Sequence, residues 1–102
     1  MNVIWGKKAK YSYFDELDFI LKKWNQQEVD KFIILVNEFI KTLEEGVLKG
    51  KVSSRTDMRS YVISEQTTVF FDINEQTKTI ELLLFWNNAK NPKTLKKLLK
   101  KV

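Results

Sequence analysis

The spacing of apolar residues changes twice along the chain. Val3, Ile4 and Trp5 form a short apolar run closed by Gly6, which predicts a first strand. Apolar residues then recur at Tyr13, Leu17, Ile20 and Trp24, reinforced by Phe14 and Leu21. Intervals of four, three and four residues are helical, and the opposite face is charged. After the polar turn Asn25-Gln26-Gln27 the same period returns through Val29, Phe32, Ile33, Val36, Phe39, Ile40 and Leu43, with Gly46 as the end signal. These two segments predict a helical hairpin.

The second change comes after a small, polar and basic stretch, Gly50 to Asp57, which reads as a loop able to carry function. Met58–Ser64, Thr67–Ile73 and Thr79–Trp86 are rich in β-formers. They are separated only by Glu65-Gln66 and by Asn74–Lys78, short enough for consecutive antiparallel hairpins. Leu82 to Trp86 is an unbroken apolar run, as suits a central strand buried on both faces. Asn87-Asn88 ends it, and Asn91-Pro92 starts a last helix, Asn as the cap and Pro in the first turn. In that helix Leu95, Leu98 and Leu99 share a face, and Lys93, Lys96, Lys97, Lys100 and Lys101 point away from it or along its rim. The order β-α-α-β-β-β-α predicts an α+β fold: an antiparallel sheet, an N-terminal helical hairpin packed on one face, and a short basic C-terminal helix. With no repeat, linker or low-complexity segment, residues 1–102 read as a single domain.

Composition narrows the chemistry. A domain of 102 residues buries about two-thirds of its unfolded surface without covalent help. The chain has no Cys, hence neither disulfide nor thiolate site, and no His, which removes the commonest zinc ligand and general base. No metal or small-molecule cofactor is implied. The N-terminus lacks a hydrophobic signal core, and the apolar runs Phe32–Val36 and Leu82–Trp86 are too short to span a bilayer, so a soluble cytoplasmic protein is expected. Net charge is +5, unevenly spread: +3 over residues 1–11, −4 over 12–46, +3 over 47–64, −3 over 65–81 and +6 over 82–102. A basic surface around a more acidic helical body favours polyanions or an acidic protein partner. Plainer roles stand beside these: lysines that only solvate, Trp5, Trp24 and Trp86 as core, Arg59 paired across the sheet with Glu81 or Asp72, and Asp15-Glu16 and Glu44-Glu45 on helix exteriors and at a helix end.

Several residues in order carry a resemblance: Lys7-Lys8-Ala9-Lys10 ahead of the first periodic helix, Asp15, Leu17 and Ile20 on it, and Lys23-Trp24 at its end. The series continues with Arg59 and Tyr61-Val62-Ile63-Ser64, then Thr68-Val69-Phe70-Phe71-Asp72-Ile73, and closes with Ile80 to Trp86 and Asn91-Pro92. Together they resemble the RelE/ParE superfamily of bacterial toxins from type II toxin–antitoxin systems, over nearly the whole chain. That resemblance implies a toxin neutralised by a small cognate antitoxin, or a non-toxic toxin-derived protein that keeps only antitoxin binding. RelE-type members cut messenger RNA on the ribosome, with basic residues and a tyrosine serving as base, acid and phosphate clamp. The matching positions here are Arg59, Tyr61 and Lys90, but Thr68 stands where the next arginine is expected and no tyrosine follows Pro92. ParE-type members lack that cluster and bind DNA gyrase, and the wording around Lys23-Trp24 and Asn91-Pro92 is closer to theirs. On this reading Arg55, Arg59, Tyr61, Lys90, Lys93, Lys97 and Lys101 form the surface for target or antitoxin.

Overall fold

In a computed structural model the structure describes residues 1–47, 50–52 and 58–100. A strand β1 (Asn2–Trp5) is followed by helices α1 (Lys7–Lys23) and α2 (Gln26–Glu44), strands β2 (Lys51–Val52), β3 (Met58–Ser64), β4 (Thr67–Asn74) and β5 (Thr79–Asn87), and helix α3 (Pro92–Leu99). The α+β reading and the hairpin of helices hold. Two features of the sheet go beyond the expected antiparallel meander. Its order is β1-β5-β4-β3-β2, with β1 running parallel to β5, so the sheet is mixed. The stretch read as a loop from Gly50 contributes the short strand β2, which extends the sheet against Ser60 and Arg59.

Local chemistry explains most element ends. Asn25 accepts the backbone N–H of Glu28 at 3.0 Å and Asn91 that of Lys93 at 2.9 Å, each answering a free donor in a first helical turn. Gly46 adopts φ 86° and closes α2, with its N–H on the Leu43 carbonyl and the Val47 N–H on that of Thr42. Helix α1 begins at Lys7, well before the periodic apolar residues, because Gly6 hands its N–H to the Leu82 carbonyl at 2.9 Å and Ala9 is already fully buried. In the β4–β5 turn the Asn74 carboxamide accepts from the N–H groups of Gln76 and Thr77.

The core lies between the helical hairpin and one sheet face. Val29, Phe32, Val36, Phe39 and Leu43 of α2 are buried, as their spacing predicts. They meet Ile63, Val69, Phe71, Ile80, Leu82 and Phe85 of the sheet. Helix α1 departs from its apolar pattern. Its buried side is Ala9, Glu16 and Ile20, whereas Phe14, Leu21 and Trp24 are exposed. Trp24 is thus not core; Trp86 is buried, and Trp5 is half-buried, stacked on Phe85 at 5.5 Å with the Tyr13 ring edge-on at 5.1 Å. Leu82 to Trp86 are all buried, as expected of an interior strand.

Candidate functional site

Strand register sorts the sheet residues onto two faces. Tyr61, Val69 and Phe85 stand in one row, and Arg59 shares a row with Phe71 and Leu82; Val69, Phe71, Leu82 and Phe85 belong to the core beneath the helices. Val62, Thr68 and Trp86 form a row on the opposite face, as do Ser60, Phe70 and Leu84, and Met58, Asp72 and Glu81. Because side chains alternate between faces, Arg59 and Tyr61 point to the helical side. Arg59 is therefore turned away from Asp72 and Glu81, and the expected cross-sheet ion pair does not form. The Tyr61 ring is half-buried and stacked on Phe39 with centroids 4.6 Å apart and an interplanar angle of 8°.

Lys90 belongs to the other side. Its Nζ lies 5.9 Å from the centroid of Trp86. Lys93 and Lys97 follow it, exposed on α3, whose Leu95, Leu98 and Leu99 are half-buried. Lys90 thus lies beside Trp86 with Lys93 and Lys97 following it on α3, and Arg59 and Tyr61 point to the other face of the sheet. Arg55 and Lys101 fall outside the described residues. Thr68 donates its hydroxyl to the Asn88 side-chain oxygen at 2.9 Å, which occupies it within the turn that leads to Lys90.

Sequence reasoning missed the polar centre that fixes this turn. Glu16 is 3% exposed and lies under the end of the sheet, not on a helix exterior. Its carboxylate accepts from the Thr67 hydroxyl and, at 3.1 Å, from Nδ2 of Asn87. The Asn87 side-chain oxygen in turn accepts the Ala89 N–H at 2.9 Å, and Asn88 bonds to the carbonyls of Gln66 and Glu65. Ser12 adds a second link, taking the Phe85 N–H at 2.9 Å while giving its proton to the Lys8 carbonyl. Past Leu82, β5 has no β1 residue beside it, and these α1 side chains meet its polar groups instead. The signal was present in the sequence: Glu16 lies seven residues after Ala9 and four before Ile20, on their helical face.

Above this centre a groove of about 660 Å³ opens between α1, α2 and the β3–β4 turn, with Trp24, Leu35, Ser64 and Asn88 among its walls. Ser64 presents a buried hydroxyl oxygen that has no hydrogen-bond partner. Lys23 lies 4.7 Å from the Trp24 ring centroid at its rim. Among the described residues no cluster of three or more acidic side chains is placed to hold a metal ion, and no helix is long and apolar enough to cross a membrane. The arrangement offers aromatic and apolar surface and, separately, exposed lysines, which suits binding to a macromolecule.

No protein-family model and no curated protein matches the sequence. Solved structures do share the fold. A chain of the chromosomal ParDE TA system from P. aeruginosa superposes with a TM-score of 0.69 at 18% identity, over 85% of this chain and 95% of that one. The YoeB/ParE toxin from Agrobacterium tumefaciens gives 0.58 at 12% identity, over 87% and 100%. A chain of the YoeB–YefM complex from Staphylococcus aureus gives 0.56 at 14%, over 87% and 98%. The fold is that of the ParE and YoeB toxin structures.

Proposed function

We propose that the chain is the toxin of a type II toxin–antitoxin pair, ParE-like, which inhibits DNA gyrase by binding it and is neutralised by a cognate antitoxin. The observation that carries this reading is the division of the cationic candidates between two sheet faces on a ParE-type fold. General acid–base cleavage of RNA needs base, acid and phosphate clamp around one phosphate. Here Arg59 and Tyr61 face the helices, the Tyr61 ring is taken up by Phe39, and Thr68 is bonded to Asn88. Binding requires no such set. The exposed Val62 on β3, the exposed Lys90, Lys93 and Lys97, and the groove beside Trp24 offer surface for a protein target and an antitoxin.

The second reading is a ribosome-dependent messenger RNA endoribonuclease using Arg59, Tyr61 and Lys90, as the resemblance to RelE-type toxins implies. Induction of the chain without its antitoxin separates the two. Gyrase inhibition leaves transcripts intact while cleaved DNA accumulates and supercoiling falls. Ribosome-dependent transcript cuts that disappear with Arg59→Ala would establish the enzyme and reject the gyrase reading.

A further inference from the structure

The outer side of α1 carries apolar surface that the fold leaves open: Tyr11 and Phe14 are 63% and 61% exposed, and Leu21 46%. A helix turns about 100° per residue, so Lys7, Lys10, Tyr11, Phe14, Asp18 and Leu21 fall within an arc about 100° wide, with Leu17, half-buried against the core, at its border. That arc is on the far side of α1 from Ala9, Glu16 and Ile20, which meet the sheet. Its chemistry is symmetric about Phe14. Two helices packed antiparallel around a two-fold axis at Phe14 set Phe14 against its own copy, Lys10 against Asp18, and Lys7 against Leu21, with Tyr11 reaching the open edge of the half-buried Leu17. Apolar contacts lie at the centre, and an ion pair forms on each shoulder. A parallel arrangement sets Lys10 against Lys10 and Asp18 against Asp18, and is repelled.

We infer that the outer face of α1 is a self-association surface whose occupant is a second copy of this chain, antiparallel across Phe14. This inference stands independently of the toxin reading. A single-helix contact falls below the size of a stable interface, so the dimer is weak, with a Kd between about 10 μM and 1 mM.

Sedimentation equilibrium of the full chain tests it. The unmodified chain is expected to dimerise within that range, and Phe14→Glu to shift the midpoint at least about tenfold upward. Lys10→Glu alone sets Glu against Asp18, and Asp18→Lys alone sets Lys against Lys10, so each variant is expected to be monomeric. Their equimolar mixture restores both ion pairs and is expected to form the heterodimer. Circular dichroism confirms that the exposed substitutions leave the fold intact. An unmodified chain that stays monomeric to about 1 mM, or a mixture no more associated than its components, overturns the inference. If the chain stays monomeric while Phe14→Glu weakens binding to the antitoxin, the stripe belongs to that partner instead.

Discussion

Glu16 carries two obligations at once, because both Thr67 and Asn87 direct donors at it in a buried setting. Glu16→Ala leaves both donors without a partner and is expected to cost about 3 kcal/mol. Glu16→Gln is gentler. Its carbonyl still accepts from Asn87, and the Thr67 hydroxyl rotates to accept from the new amide, for a loss of about 1 kcal/mol. Urea denaturation of the three proteins measures the difference, and equal losses would show that the negative charge, not the hydrogen bonds, holds the centre. Tyr13 makes a second residue-scale prediction. Packed against Trp5, Phe32 and Phe85, it has its phenol pushed above the ordinary value of 10.0 by burial. The unfolded chain then releases that proton at lower pH than the folded one, so this contribution is intact below about pH 10 and is lost as pH rises through the folded value. Melting temperatures recorded on either side of pH 10 are expected to fall less steeply at alkaline pH for Tyr13→Phe than for the unmodified chain.

Between elements, the junction of β1 and α1 tolerates little change. A Cβ on Gly6 would lie 2.7 Å from the Leu82 carbonyl oxygen, a backbone atom that cannot swing aside. Gly6→Ala is expected to push β1 from β5 and cost about 1–3 kcal/mol, read as a lower melting temperature together with faster amide exchange over residues 2–5. Helix α3 behaves differently, since its lysines are exposed and its leucines half-buried. Replacing Lys93, Lys96 and Lys97 by Gln is expected to slow association with the antitoxin and flatten its salt dependence, with the melting temperature nearly unchanged. Stopped-flow mixing at several salt concentrations checks it; a lower melting temperature with unaltered association would make these lysines structural. Elements with strong periods were legible beforehand. Val29 to Leu43 gave α2, Leu82 to Trp86 gave the interior strand, and Asn91-Pro92 gave the start of α3. Helix α1 was harder, because its apolar residues serve two faces and a glutamate occupies the buried one.

At the scale of the molecule, the α+β architecture followed from local patterns, whereas the parallel pairing of β1 and the addition of β2 did not. Val3 meets Ile80, and nothing near Val3 in the sequence encodes a partner so far away. The division of Arg59 and Tyr61 from Lys90 was hidden for a related reason. Sequence spacing puts Arg59 and Tyr61 on β3 and Lys90 just past β5, but only the register assigns their faces. The N-terminal strand is bound into the structure by late residues: Asn2 gives its N–H to the Lys78 carbonyl at 2.9 Å, and Trp5 stands opposite Leu82. Such a topology orders events during synthesis. The helical hairpin can form as soon as it emerges, but β1 has no strand to pair with until the segment around Thr79–Asn87 has been translated. A chain cut after residue 78 is expected to keep helical circular dichroism and lose cooperative unfolding. A strand made before the helices therefore waits for one made after them, and a ribosome that stalls before β5 releases a chain whose sheet is not assembled.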